Sequence, residues 1–165
     1  MTRNSGFTLV EILIVVIILG ILAAIIIPQF TEASNDARQS ALKSDLQTIR
    51  SQLELYKVQH QDHYPNMVCT NGTWAADNST ANFVSRLTGT TDVSGVVGNT
   101  GFGPYMQKFP TNSLASANAS SVAFQATGAA PTPDGDPGWI FDTSDGKVYV
   151  NITGNDSSGT AFVAW

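Results

Sequence analysis

From Phe7 to Ile27 the chain consists of Phe, Leu, Ile, Val and Ala, broken only by Thr8, Glu11 and Gly20. At about 1.5 Å per residue, a helix over this run reaches roughly 31 Å, enough to cross the hydrocarbon core of a bilayer. Pro28 follows directly; it lacks the N–H that would bond the carbonyl of Ala24, so a kink or local opening is expected between Gly20 and Pro28. Beyond it the polarity rises but the helical period continues. Leu42, Leu46, Ile49, Leu53, Tyr56 and His60 recur every three or four residues and share one face. Charged residues of both signs, from Glu32 to Lys57, occupy the other faces. The spacing predicts one helix ending near His63, because Pro65 disfavours helical backbone at Tyr64.

After residue 65 the pattern changes. Gly, Ser, Thr, Asn and Ala dominate, with scattered aromatic residues. Residues 80–89 read as a short helix stopped by Gly89, and 90–101 as a loop. Gly138–Asp142 and Lys147–Asn151 alternate around Asp145-Gly146, a hairpin signal. The stretches 122–125 and 161–165 are further candidate strands. These elements give an α+β chain: a long N-terminal helix whose second half packs on a small C-terminal antiparallel sheet. The corresponding segments are 1–6, a polar leader; 7–29, the apolar helix; 30–64, its amphipathic continuation; and 65–165, a globular part.

Charge and composition narrow the function. The formal net charge is −5, and no cluster of Lys or Arg is present, so binding nucleic acid through phosphates is not expected. Cys69 is the only cysteine, which precludes an intramolecular disulfide; an inert, partly buried thiol is preferred over an intermolecular crosslink. His60 and His63 flank Asp62 without a third ligand at metal-binding spacing. Asp134, Asp136, Asp142, Asp145 and Asp156 gather oxygen ligands near the hairpin, so calcium is the one cofactor to consider; solvated turn residues are the preferred reading. The sequons beginning at Asn71, Asn78, Asn118, Asn151 and Asn155 arise readily from this composition. No nucleophile elbow, phosphate loop or paired acids with a substrate logic occur, so an enzyme is not expected.

The unusual residue is Glu11. Acids inside an apolar span are rare and costly, and they generally carry function. The string Gly6-Phe7-Thr8-Leu9-Val10-Glu11, with the run to Phe30 behind it, closely resembles the N-terminus of type IV prepilins and type II secretion pseudopilins. No small-x-small cleavage site follows the run, as an ordinary signal peptide would require. The resemblance covers about residues 1–65. It implies cleavage after Gly6 by prepilin peptidase, N-methylation of Phe7, and filament assembly through Glu11, with Pro28 in a stretch that can unwind on packing. It also implies a pilin-like fold, an inner-membrane assembly platform as partner, and a single-pass anchor with the C-terminal part outside the cytoplasm.

Gly103-Pro104-Tyr105-Met106-Gln107-Lys108-Phe109-Pro110 is similar to a segment of major pseudopilins. There Asp-Pro-Trp-Gly and a calcium loop commonly follow; here Thr111-Asn112-Ser113-Leu114 does. The expected role is a homo-oligomeric filament subunit, of a pseudopilus or a type IV pilus, with this segment and the missing disulfide favouring the pseudopilus. The alternative is a minor tip or surface binding module exported by the same route, which a count of subunits in sheared filaments separates.

Overall fold

The computed structural model describes residues 8–165, in two units, one ending at Ala37 and the other Arg38–Trp165. Helix α1, Leu9–Gln59, contributes to both.

In the first unit α1 is helical throughout and runs through Pro28 without a break. The opening expected between Gly20 and Pro28 is therefore absent from the described chain. Every residue from Thr8 to Ala33 is exposed, including all the large apolar side chains from Leu9 to Ile27. This is the one helix among the described residues long and apolar enough to cross a membrane.

In the second unit the predicted face of α1 is buried: Leu42, Leu46, Ile49, Leu53 and Tyr56 all lie in the core. His60, just past the helix, continues that face and is fully buried as well. The helix stops earlier than expected, at Gln59, because Gln61 and Asp62 take positive φ and the Asp62 N–H returns to the Lys57 carbonyl. Helix α2, Thr80–Thr88, begins at Ser79, whose hydroxyl accepts the Asn82 N–H, and buries Phe83, Arg86 and Leu87.

A three-stranded sheet has the order β3 (Val122–Gln125), β4 (Trp139–Asp142), β5 (Val148–Val150). The predicted hairpin is the antiparallel β4–β5 pair. β3, however, runs parallel to β4, so the sheet is mixed rather than wholly antiparallel. A parallel pair needs a crossover of a dozen or more residues, and the Gly- and Pro-rich segment 126–138 supplies it. Every β4 residue is buried, and Trp139 and Phe141 join Phe83, Phe109, Val148, Val150 and the α1 face in one core. Each such apolar side chain contributes about 1.5–3 kcal/mol when fully buried.

Two elements differ from expectation. Met67–Thr70 (β1) and Thr73–Ala76 (β2) form an antiparallel hairpin with no counterpart among the expected elements. Its turn is Asn71-Gly72, both at positive φ, as the tightest hairpin connection requires. The candidate strand at 161–165 is instead a short 3-10 helix, Phe162–Ala164. There the Trp165 indole donates to Asp156, and the Lys43 ammonium lies over its ring at 4.3 Å. Such contacts fold the segment inward instead of extending it along the sheet.

Candidate functional site

The N-terminal start of α1 is built by Thr8 and Glu11. Thr8 has the N-cap position and Glu11 the third helical one. The Thr8 N–H and hydroxyl both donate to Glu11 Oε2 at 2.8 Å, and the Glu11 N–H donates to Thr8 Oγ1 at 3.2 Å. This reciprocal arrangement is a capping box, which satisfies two of the amides that a helix start leaves unpaired. The Thr8-x-x-Glu11 spacing is the signal for it, and it adds to the assembly role expected of Glu11. The carboxylate thus has an intrachain partner while standing on an otherwise apolar, exposed surface. Gly6 and Phe7, expected to flank a cleaved bond, lie outside the described residues.

Pro28 sits inside α1, and the Thr31 hydroxyl donates to the Ile27 carbonyl at 3.0 Å one turn away. Its expected contribution to assembly concerns a state other than the unbroken helix described.

The Gly-Pro-Tyr segment ties α2 to the end of α1. The Tyr105 N–H donates to the Leu87 carbonyl, and the Tyr105 hydroxyl donates to Gln59 Oε1 at 2.6 Å. Phe109 enters the core, and the Trp139 indole donates to the Pro110 carbonyl at 3.2 Å. The segment is therefore structural mortar between helix and sheet.

The two histidines point to different partners. His60 Nδ1 is 2.8 Å from the Tyr56 carbonyl and its Nε2 is 3.0 Å from the Thr91 hydroxyl. His63 stacks on Trp74 with ring centroids 4.0 Å apart. Nor do the acidic residues gather: no group of three or more His, Cys, Asp or Glu converges among the described residues. They organise individual turns, and two are buried rather than solvated as expected. Asp142 accepts from the Ser144 N–H and hydroxyl, Gln125 Nε2, the Thr127 hydroxyl and the Gly128 N–H. Burial alone would raise its pKa, but these donors outweigh it and hold the carboxyl well below the usual range. Asp156 is likewise held low, first by the Ser158 hydroxyl, then against burial by the Thr160 N–H, Lys43 and Trp165. Cys69 is half-buried in β1. Asn151, one of the sequon residues, is buried and receives the Asp134 N–H.

Comparison with known proteins falls on the N-terminal part. Residues 1–27 match the model of the prokaryotic N-terminal methylation motif. A type II secretion system core protein G from Pseudomonas aeruginosa is 45% identical over 56 residues, covering 34% of this chain and 39% of the relative. The protein of the same description from Aeromonas hydrophila is 38% identical over 63 residues, 38% of this chain and 43% of the relative. A type IV major pilin protein PilA from Myxococcus xanthus is 51% identical over 47 residues, 28% of this chain and 21% of the relative. The chain thus aligns with less than half the length of these relatives. No solved structure matches it.

Proposed function

We propose that this chain, whose N-terminal segment is of the prepilin type, is a structural subunit that polymerises into a helical filament, a secretion pseudopilus or a type IV pilus. The observation that carries the reading is a single carboxylate, Glu11, on an otherwise apolar and fully exposed stretch of α1. Such a surface is insoluble alone and needs lipid or other copies of itself around it.

In this reading segment 1–6 is a leader, cut after Gly6 by prepilin peptidase, and Phe7 becomes a methylated N-terminus. Segment 7–29 anchors the subunit in the inner membrane until the assembly platform extracts it. Residues 65–165 lie outside the cytoplasm. The new α-amine on Phe7 is a cation over most of the neutral range. It meets Glu11 of a docked subunit, and pairing relieves a desolvation cost for both groups; a misregistered subunit leaves both unpaired in lipid. The pair thereby selects axial register.

Mass spectrometry of the mature chain tests the first step, with Phe7 expected as a methylated N-terminus. Met1 or Thr2 at that end overturns it. Glu11→Gln is expected to insert and be cleaved yet yield few filaments, and Glu11→Leu to do the same. Normal numbers of filaments with normal axial spacing from Glu11→Leu would show that apolar packing alone sets the register.

A further inference from the structure

Within the second unit, helix α1 has a face that the rest of the chain leaves uncovered. At about 3.6 residues per turn, Ala41, Ser44, Thr48, Ser51, Leu55 and Val58 lie opposite the face that enters the core. All six are exposed. A helix face turned to water ordinarily carries charge. Here none does. From Arg38 to Gln59 every charged residue sits on a flank, Lys43, Arg50, Glu54 and Lys57 on one side, Arg38 and Asp45 on the other. The face also turns polar groups inward: the Thr48 hydroxyl donates to the Ser44 carbonyl and the Ser51 hydroxyl to the Gln47 carbonyl, each at 2.9 Å. Covering such a face costs little desolvation. Its small residues form a shallow channel, which ends at Leu55 and at Val58, 80% exposed.

On the other side of the same unit, loop 90–102 presents a compact apolar knob. Thr91 and Phe102 exchange both backbone hydrogen bonds, at 3.0 and 2.8 Å, so the loop's ends meet. The Asp92 carboxylate accepts the Ser94 and Val96 N–H groups and Asn99 Nδ2, and the Val96 carbonyl accepts the Asp92 N–H. With its polar groups thus occupied, the loop leaves Val93, Val96 and Val97 exposed. Gly95 sets the loop against the core side of α1, where a Cβ would stand 3.0 Å from the Tyr56 hydroxyl. Tyr56 and Val58 point to opposite sides of the helix. Knob and channel therefore lie on opposite sides of the unit. Leu55, Val58 and the three valines are the only large apolar side chains exposed in this unit among the described residues.

We propose that the valine knob of one copy seats on the uncharged α1 face of the next, as a second contact between subunits. The inference rests on the filament reading. Two different patches on opposite sides of a unit make a head-to-tail contact, which repeats into an open helical assembly when its rotation does not close a ring. Area argues the same way. Five partly exposed aliphatic side chains fall well short of the ~1,000 Å² that a stand-alone interface needs. The contact holds where another one already joins the same copies, as the apolar stretch of α1 does in a filament.

Sheared filaments of the full chain test the contact. Copies with Val58→Cys are mixed with copies with Val96→Cys, both also carrying Cys69→Ser, and treated with a short bis-maleimide. Cross-linked dimers are expected from filaments of the mixture and not from filaments of either alone. Dimers from either alone, with none added by mixing, overturn the head-to-tail pairing. Val58→Asp and Val96→Asp give an independent reading. Both positions are exposed, so thermal midpoints in micelles are expected within a few degrees of the wild type. Filament number is expected to fall about tenfold or more, because each contact would bury an unpaired charge. Normal filament numbers from both Asp variants, or no cross-link in filaments of the mixture, overturn the contact and leave the filament reading standing. Absence of filaments from the wild type overturns both.

Discussion

The structure gives Glu11 one task, and the proposed reading adds a second. It closes the helix start with Thr8, and on the proposed reading it also awaits a cation from another subunit. Glu11→Gln separates them, because the amide oxygen can still accept the Thr8 N–H while the charge is gone. The same economy appears at Asp142, where one carboxylate organises the β4–β5 turn and the start of the 126–138 crossover. Its depressed pKa fixes the sign of the acid response. A carboxylate more acidic in the folded state than in the unfolded one contributes stability above about pH 4, lost as pH falls toward its folded value. Asp156 acts in the same direction. Denaturant melts are therefore expected to show a loss below about pH 4. Asp142→Asn is expected to be less stable at neutral pH and to show a shallower acid loss. An unchanged acid limb in that variant would assign the loss to other groups.

At the scale of elements, the β4–β5 hairpin rests on its turn. Gly146 has φ +73°, and a Cβ there would collide with the Tyr64 ring. Tyr64 in turn donates its hydroxyl to Glu54 Oε1 and packs edge-on against Phe141. Gly146→Ala is expected to cost about 1–3 kcal/mol in urea melts, from backbone strain and displacement of that ring. A loss under about 0.5 kcal/mol would mean that Tyr64 yields freely. The Asp145-Gly146 signal made this hairpin legible, since turn chemistry and alternation agree. The α1 core face was legible for the same reason, six residues at one period. By contrast, the β1–β2 hairpin carries an equally good Asn71-Gly72 turn but flanks it with Cys69, Thr70 and Thr73, which show no apolar alternation. The parallel direction of β3 could not be read from its four residues, because direction is set by the path of the crossover. His60 was legible as a member of the α1 face, but its partners Thr91 and Phe102 are distant in sequence and placed by the fold.

Taken whole, the chain assigns its two physical problems to different stretches. Among the described residues, every buried apolar core residue belongs to the unit Arg38–Trp165 and none to the first. A chain begun at Thr31 is accordingly expected to fold without detergent, with a thermal midpoint within a few degrees of the full chain's in micelles. Aggregation of that shortened chain, or loss of its cooperative melt, would show that the apolar stretch supports the core. The separation also bears on how such a molecule can change over generations. Drift in the loop stretch 126–135 is answerable only to the core beneath it, and drift between Leu9 and Ile27 only to what surrounds that helix. A lineage could therefore remodel that loop freely while the helix from Leu9 to Ile27 stays under a separate constraint.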